Sequence, residues 1–301
     1  MGLLNSILYD SVYHTAPILL CVLGGILAYK ANVLNIALEG FMLAGCLVSI
    51  LTAFYTQNLV LAYVTAIAVC ILLGLVFSFM SVTCKGNVII VGLAINMFVP
   101  AVAGFILQRM GLANINLSWL NVADLKINIP FVEDIPIIGK IVSGHPLITY
   151  ISFALILVMM VLMYRTRFGI YVRVVGENED AARSLGLKTN LYKYMAIILG
   201  AAGCALAGIN LSLERLGLFT NNMTAGRGFI AIAAIYCGRG APGKSAMYAL
   251  LFGIARSLAI NLGVYAGAEA ALFDVIPYVV MTIVLAVVSI VKRRNVKERS
   301  F

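Results

Sequence analysis

The sequence predicts an all-α polytopic membrane protein that forms a single transmembrane domain over residues 1–301. Hydrophobic residues make up 62% of the chain and charged residues only 11%, whereas a soluble domain carries roughly 25% charged residues. The mean hydropathy is +1.04. A chain with so few charges cannot cover its surface against water, so lipid must be its main solvent.

Apolar runs suited to crossing a bilayer recur along the chain. A helix needs about 20 mostly apolar residues to span the hydrocarbon core. Eight runs approach or reach that length: 15–31, 34–55, 58–82, 88–107, 147–164, 191–213, 246–264 and 273–291. A shorter run, 229–237, follows Gly226 and Gly228, which is typical of a broken helix that borders a cavity. We therefore predict about nine transmembrane segments, one of them a half helix.

The basic residues determine the expected orientation. When the connections between spans alternate between two sides, one side holds 15 lysines and arginines and the other holds five, while Arg256 falls within a span. The positive-inside rule makes the richer side cytoplasmic. We therefore expect an external N-terminus and a cytoplasmic C-terminus. The net charge of +9 is explained by topology and does not indicate nucleic-acid binding.

Two connections are long enough to have roles of their own. The external connection, 108–146, contains Trp119 and a proline-bounded apolar run. Most connections are shorter than this. It is expected either to dock an extracytoplasmic protein or to cap the bundle, and the sequence favours neither.

The cytoplasmic connection, 165–190, predicts a short helix of its own. Asn178 is suited to cap the helix, and the acidic pair 179–180 is favourably placed at the positive end of its dipole. The alanines 181–182 favour helix, and Gly186 supplies a stop because it tolerates the left-handed conformation. This helix is either an ordinary connector or a lever held by a cytoplasmic partner.

Polar residues within the predicted spans are candidates for a solute path, because a charge at mid-bilayer costs about 2.5–3.5 kcal/mol. Asn35 and Glu39 are four residues apart and are expected to share a helical face, as are Asn210 and Glu214. The candidate path residues are Asn35, Glu39, Asn96, Asn210 and Arg256.

Each of these candidates also has a structural interpretation. Asn96 and Asn210 are equally suited to hydrogen bonds across helices. Glu39 is expected to lie close enough to the cytoplasmic face to be solvated. Arg256 would be satisfied by an ion pair with an acid on a neighbouring span.

One motif suggests a phosphate site. Residues 238–245, GRGAPGKS, match the pattern GxxxxGK[ST], which binds phosphates when it lies between a sheet strand and a helix. Here the flanking segments are membrane spans, and no soluble αβ unit exists to build a sheet. We therefore expect a tight cytoplasmic turn and no nucleotide binding.

The sequence predicts no catalytic residue, metal site or cofactor. The two histidines, His14 and His145, lie at span boundaries without a nearby nucleophile, and no HExxH or GxSxG motif occurs. None of the six cysteines forms a CxxC, and they are expected to be buried small hydrophobes. The spaced glycines Gly200, Gly203 and Gly208 instead predict close helix packing.

Several segments together carry a resemblance to a known family. They are 16–17, 23–25 and 33–40 near the N-terminus, VGLAINM at 91–97, the run 134–140, VVGEN at 174–178 with the following alanines and Gly186, and GFIAIA at 228–233. In this order and combination the chain resembles the permeases of bacterial ABC importers for ribose, branched-chain amino acids and nucleosides. It is most similar to the smaller permease of nucleoside importers, from about residue 12 to 290.

The resemblance implies several partners. Permeases of this family pair, commonly as two different subunits, on two cytoplasmic ATPases, and a solute-binding protein delivers the solute from outside. It also implies that 177–186 is the helix that couples the ATPase to the pore, through Gly176, Glu177, Asn178, Ala181, Ala182 and Gly186. The turn at 238–244 corresponds to an ordinary cytoplasmic loop. Relative to ribose-type permeases the chain lacks a first span, and Arg256 stands where an uncharged polar residue is expected.

The expected function is that of a multi-pass permease subunit in the bacterial inner membrane, which moves nucleosides or a related solute and has no enzymatic activity of its own. Three alternatives remain open. They are a secondary transporter driven by an ion gradient, an ABC permease for riboflavin or a simple sugar, and a membrane enzyme, for which no reacting constellation is visible.

Overall fold

The computed structural model describes residues 3–128, 141, 143–266, 273 and 275–297. Its helices are α1 Leu3–Lys30, α2 Leu38–Thr56, α3 Leu59–Ser78, α4 Val88–Met110, α5 Leu147–Arg165, α6 Arg167–Glu177, α7 Glu179–Ser184, α8 Thr189–Ile209, α9 Arg227–Cys237, α10 Pro242–Ala266 and α11 Ile276–Lys297. A π-helical turn, Phe79–Thr83, extends α3, and a second, Asn210–Glu214, extends α8.

The predicted all-α, multi-pass architecture is confirmed. Within the described residues, seven helices are long and apolar enough to cross a membrane: Ser6–Lys30, Leu38–Thr56, Leu59–Thr83, Val88–Met110, Leu147–Arg165, Thr189–Glu214 and Pro242–Val264. Two apolar helices are shorter, Arg227–Cys237 and Ile276–Ile290. The latter is the eighth predicted span, 273–291, and at 1.5 Å per residue it is about 22 Å long.

The first span begins earlier than the predicted residue 15, because the polar residues before it find partners within the bundle. Asp10 Oδ2 accepts a hydrogen bond of 2.8 Å from Asn261 Nδ2. The Ser257 hydroxyl donates to the Ile7 carbonyl at 2.8 Å, and the Ser11 hydroxyl donates to the same carbonyl. Helix α1 can therefore bury polar side chains that hydropathy alone places outside the membrane.

The second span begins later than the predicted residue 34. Residues 33–36 are not helical, and Asn35 Oδ1 accepts from the Ala37 N–H at 3.0 Å, in a local turn that precedes α2. The expectation that Asn35 and Glu39 share a helical face is therefore wrong. Asparagine competes for nearby backbone N–H groups in this way and is common just before a helix.

Three helices form the centre of the bundle. The apolar windows of α1, α2 and α8 are 89%, 72% and 72% buried, whereas those of α3, α4 and α5 are at most 28% buried. The predicted close packing through glycines is confirmed. A Cβ on Gly24 would lie 2.6 Å from the Gly200 carbonyl oxygen, and a Cβ on Gly203 would lie 3.1 Å from the Gly24 Cα.

Short strands in the loops between helices pair with one another in two small antiparallel sheets. β1, Asn114–Asn116, pairs antiparallel with β4, Leu218–Thr220, and β2, Lys126–Ile127, pairs with β3, His145–Pro146. Strands of two or three residues are too short to show an alternating pattern, so the sequence analysis missed them. Residues 129–140 and 142 of the connection 108–146, with the family segment 134–140, lie outside the described residues.

The close approach of α2 and α8 predicts a strong effect of one methyl group. A Cβ on Gly208 would overlap the Met42 carbonyl oxygen and lie 2.7 Å from the Cys46 amide nitrogen, both of them backbone atoms. We expect Gly208→Ala to lower the free energy of unfolding by about 1–3 kcal/mol or more. The thermal unfolding midpoint of the detergent-solubilised protein measures this effect.

Gly243→Ala is the matched control, because a Cβ there meets nothing within 4 Å in helix α10. Alanine is favoured over glycine inside a helix, so this variant should be neutral or slightly more stable. Equal midpoints for the two variants would contradict the packing of α2 against α8.

Candidate functional site

The Glu39 carboxylate lies at the beginning of the half helix α9. Its Oε1 accepts from the Gly226 N–H at 2.8 Å, and its Oε2 accepts from the Gly228 N–H at 2.5 Å. The first N–H groups of a helix have no intrahelical acceptor and carry partial positive charge. Glu39 is only 8% exposed, so the expectation that it is solvated is wrong. The side chain instead caps a helix that begins inside the bundle.

Two glycines make this contact possible. Gly226 has φ +75°, and a Cβ on Gly228 would lie 2.5 Å from the Glu39 amide nitrogen. The Tyr278 hydroxyl of α11 donates to the Ala225 carbonyl at 2.8 Å from the other side. The start of α9 is therefore held between α2 and α11.

Asn96 of α4 binds the non-helical segment that leads into α2. Its Oδ1 accepts from the Gly40 N–H at 2.8 Å, and its Nδ2 donates to the Ile36 carbonyl at 2.9 Å. Gly92 lies one turn earlier, and a Cβ there would be 3.1 Å from Cβ of Ile36. Both polar atoms of the Asn96 amide are thus used to position the residues just before and within the first turn of α2.

A second buried carboxylate, Glu214, also lies at the start of a helix. Its Oε1 accepts from the Tyr63 hydroxyl at 2.6 Å, and its Oε2 accepts from the Ile148 N–H, in the first turn of α5, at 3.3 Å. Asn210 Nδ2 donates to the same Oε2 at 3.0 Å and to Thr149 Oγ1 at 3.3 Å. The predicted pairing of Asn210 with Glu214 is therefore confirmed, on a π-helical turn.

The two carboxylates share a sequence pattern that the sequence analysis overlooked. Residues 35–39 read NIALE and residues 210–214 read NLSLE. In both cases the glutamate accepts hydrogen bonds from the backbone at the beginning of another helix. The recurrence of N-x-x-L-E next to a span identifies these positions from sequence.

Basic side chains form a buried group beside the N-terminal half of α1. Arg215 Nη2 lies 3.2 Å from His14 Nδ1, and Arg215 Cζ lies 3.3 Å from the centroid of the Tyr13 ring. Arg227 Nη1 donates to the carbonyls of residues 223 and 224. Arg215 and Arg227 are each 6% exposed, so two arginines are buried where α8 ends and α9 begins.

The candidate path residues do not form one constellation. Asn35, Glu39 and Asn96 meet around the start of α2. Arg256 lies on α10 and is half-buried. Asn210 belongs to the separate group around Glu214.

The connection 165–190 contains the predicted short helix, α7, and an amphipathic helix, α6, that was not predicted from the sequence. Asn178 Oδ1 accepts from the Ala181 N–H at 3.0 Å, as predicted for a capping residue. Gly186 ends the turn with φ +81°. Glu179 accepts hydrogen bonds from Lys193 at 2.5 Å and from Arg183 at 3.0 Å. The first of these contacts fastens α7 to the beginning of α8.

The exposure of this segment separates structural residues from those free to meet a partner. Ala182 is fully buried, and a Cβ on Gly176 would overlap the Lys30 carbonyl. Asn178 and Ala181 are exposed, and Leu185 is 76% exposed. Leu185 is not recognisable as a surface residue from the sequence, because a leucine beside a helix is normally expected to face inward.

Within the described residues no group of three or more His, Cys, Asp or Glu side chains could hold a metal ion. Five of the six cysteines are buried as expected, but Cys84 is exposed. Cys84 follows the π-helical turn that ends α3, beyond the apolar part of that span.

The Glu39 contact predicts a loss of stability in Glu39→Gln. Glutamine offers one acceptor, and its amide group places a donor against a backbone N–H, so one buried N–H loses its partner. We expect the free energy of unfolding to fall by about 1–3 kcal/mol. The measurement is thermal unfolding in detergent, with Glu177→Gln, which removes an exposed charge, as the control. Equal effects of the two substitutions would refute the capping role.

The attachment of α7 predicts a dependence on pH. The hydrogen bond from Lys193, more than any other contact, holds the pKa of Glu179 below its ordinary value. A lowered pKa means that the stabilisation is present above the pKa of an unfolded glutamate and is lost as pH falls through the folded pKa. Protection of the α7 amides against hydrogen exchange, corrected for the intrinsic rate, should therefore be constant near neutrality and fall in acid.

Glu179→Gln should show reduced protection of α7 at neutral pH and little further change in acid. Asp180→Asn is the control, since it removes an adjacent exposed carboxylate. If Glu179→Gln protects α7 at pH 7 as well as the unmodified protein does, the assigned attachment is wrong.

Comparison with known proteins places this architecture in a family. Residues 7–285 match the model of the family described as branched-chain amino acid transport system / permease component. The chain is 28% identical to the nucleoside ABC transporter permease protein NupC of Lactococcus lactis, over 94% of this chain and 92% of the relative. It is 31% identical to the guanosine ABC transporter permease protein NupQ of Bacillus subtilis, over 93% and 88%.

A putative glucose ABC transporter permease, TsgC13 of Haloferax volcanii, is 27% identical over 86% of this chain and 77% of the relative. No solved structure matches the chain. Because the family model covers nearly the whole chain, from α1 into α11, the protein belongs to the permease-component family of branched-chain amino acid transport systems.

Proposed function

We propose that this permease forms one half of the path for a nucleoside in an ATP-driven importer of the bacterial inner membrane. In this proposal it pairs with a second, different permease subunit, is driven by a separate cytoplasmic ABC ATPase and receives solute from an extracytoplasmic binding protein. The observation that carries the proposal is the similarity to the nucleoside and guanosine permeases over more than nine-tenths of the chain. The glucose permease relative favours a sugar as the second candidate.

The proposed orientation, with an external N-terminus and a cytoplasmic C-terminus, rests on the distribution of basic residues, and it requires the two sets of loops to lie at opposite ends of the bundle. At one end, Tyr9 donates to the Gly144 carbonyl and Tyr13 donates to the Arg215 carbonyl. The pairing of β1 with β4 brings the ends of α4 and α8 to that same end. At the other end, a Cβ on Gly176 or Gly240 would meet Lys30. The proposed external and cytoplasmic loops thus lie on opposite ends.

This arrangement agrees with nine crossings. The seven long apolar helices and α11 supply eight of them among the described residues, and the chain from β4 through α9 counts as one broken crossing. Helix α9 has 11 residues and is therefore about 16 Å long, roughly half of the hydrocarbon thickness. The segment between Thr220 and Arg227 supplies the rest of the crossing. Irregular backbone at that depth requires protein around it, and Glu39 and Tyr278 provide this environment.

The proposed path passes the start of α2, near Asn35, Glu39 and Asn96, with Arg256 beside it. In this proposal Glu39 and Asn96 hold the irregular segments before α9 and α2 next to the path. Asn210, through its hydrogen bonds to Thr149 and Glu214, holds the first turn of α5 in the same way. A role of direct solute contact fits Asn35 and Asn210, because the buried Nδ2 of Asn35 and the buried Oδ1 of Asn210 have no hydrogen-bond partner among the described residues. An ion-gradient transporter is the weaker alternative, because the family works with ABC partners.

Coupling to the ATPase is assigned to helix α7 and its flanks. Exposed Glu177, Asn178, Ala181 and Leu185 supply the contact surface. Buried Ala182, together with Gly176 and Gly186, fixes the shape of the segment. Leu185 is 76% exposed at the end of a short helix, so a pocket on a partner would remove its apolar surface from water, and a few such buried anchors carry most of the energy of an interface.

Leu185→Asp tests this surface. A charge in place of the apolar anchor should reduce retention of the ATPase subunit on the purified permease and lower uptake at least about tenfold. The control is Leu112→Asp, which changes a 40% exposed leucine at the opposite end and should retain the ATPase. Full retention by Leu185→Asp would remove this leucine from the interface.

The solute is tested by uptake. The permease, expressed with its partner subunits in a host that lacks nucleoside uptake, should accumulate labelled guanosine in an ATP-dependent manner, and unlabelled glucose should not compete. Accumulation of glucose without guanosine would favour the second candidate. Uptake by the permease alone under an imposed ion gradient would contradict the proposal.

A further inference from the structure

The motif at 238–245 forms a tight turn, as the sequence predicts, and it borders a cavity. Arg239 and Gly240 have φ +53° and +63°, and α10 begins at Pro242. A Cβ on Gly240 would lie 2.9 Å from Lys30 Cε, so the turn packs against the end of α1. The position of the turn is therefore fixed by both neighbouring helices.

The cavity beside this turn has a volume of about 670 Å³. Its lining includes the three cations Lys30, Arg239 and Lys244, and none of its described lining residues is acidic. The first N–H groups of α10 add partial positive charge nearby, as at any helix N-terminus. Glu177 shares a neighbouring cavity with Lys30, but no carboxylate among the described residues lines this one, so its three cations, which repel one another, are suited to an anion.

The remaining wall of the cavity is apolar. Met247 of α10 and Val287 of α11 line it, and they are 61% and 53% exposed. Both belong to membrane helices, so this exposed surface faces lipid in the membrane or borders it. The cavity thus combines a cationic end at the proposed cytoplasmic surface with an apolar side along the spans. This amphiphilic lining matches a lipid better than a water-soluble phosphate.

We infer that this cavity binds the phosphodiester headgroup of an anionic phospholipid of the inner leaflet. Lys30, Arg239 and Lys244 would contact the phosphate, and the acyl chains would lie against Met247 and Val287. Basic sites between membrane helices at the cytoplasmic side are suited to such headgroups. The inference rests on the proposed topology, and it assigns to the phosphate-like motif an anion that requires neither a sheet nor magnesium.

Gly243→Glu separates lipid binding from folding. A Cβ at Gly243 meets nothing within 4 Å, and a glutamate in the first turn of α10 is favourable for the helix dipole. The variant should therefore fold while its charge opposes the phosphate. Gly243→Gln is the matched control, with the same size and no charge.

The experiment uses the purified full-length chain in detergent with added phosphatidylglycerol or phosphatidylcholine, and native mass spectrometry counts the bound lipid. The unmodified protein and Gly243→Gln should retain phosphatidylglycerol in preference to phosphatidylcholine. Lys244→Gln should weaken this retention about fivefold, since a cation near an anionic surface contributes about 1 kcal/mol. Gly243→Glu should weaken it at least as much. Lys188→Gln, which changes an exposed lysine away from the cavity, should not.

Three results would overturn the inference. The first is equal retention of the two lipids by the unmodified protein, and the second is undiminished phosphatidylglycerol binding by Gly243→Glu. The third is displacement of the lipid by an equal concentration of inorganic phosphate or ATP, which would assign the cavity to a soluble phosphate. Unfolding midpoints without lipid distinguish a failure of the permease fold from a failure of lipid binding, and guanosine uptake tests the proposed function separately.

Discussion

The arrangement of this bundle depends on one constraint: the backbone N–H and C=O groups that a broken helix exposes within a membrane need hydrogen-bond partners from the protein itself. Two segments of this chain are not helical where they enter the bundle: residues 33–36 before α2 and the residues that precede α9. An unpaired backbone group in hydrocarbon costs several kcal/mol. Glu39 and Asn96 supply partners for four of these groups, the N–H groups of residues 40, 226 and 228 and the carbonyl of residue 36. The close glycine contacts of α1, α2 and α8 then place these side chains within reach.

The same constraint connects the two halves of the proposed mechanism. The start of α2 follows α1 by seven residues, and the end of α1 lies against Gly176 of α6. A displacement of α6 and α7 by a cytoplasmic partner would therefore reach the segment that Asn96 holds. Because Glu39 joins that segment to α9, α2 and α9 would move together. The coupling surface and the proposed path are thus joined by short, packed connections.

Much of the fold could be predicted from the sequence, because hydropathy directly reports which segments lipid can surround. The short helix α7 was also predictable, since Asn178 and Gly186 act through local backbone geometry. The boundaries of α1 and α2 were not, because Asp10 and Asn35 are satisfied by groups that hydropathy does not reveal. The roles of Glu39 and Asn96 depend on contacts across 56 or more residues of sequence. The N-x-x-L-E pattern that the two glutamates share is the local signal from which their similar roles could have been predicted.

Hydrogen exchange at the amides of Gly226 and Gly228 tests the central claim most directly, because these two N–H groups have the Glu39 carboxylate as their acceptor. In the unmodified protein both amides should exchange slowly, and in Glu39→Gln at least one should exchange much faster while amides in the middle of α1 remain unchanged. Fast exchange of both amides in the unmodified protein would contradict the account, since α9 would then begin without the acceptor on which its place in the bundle depends.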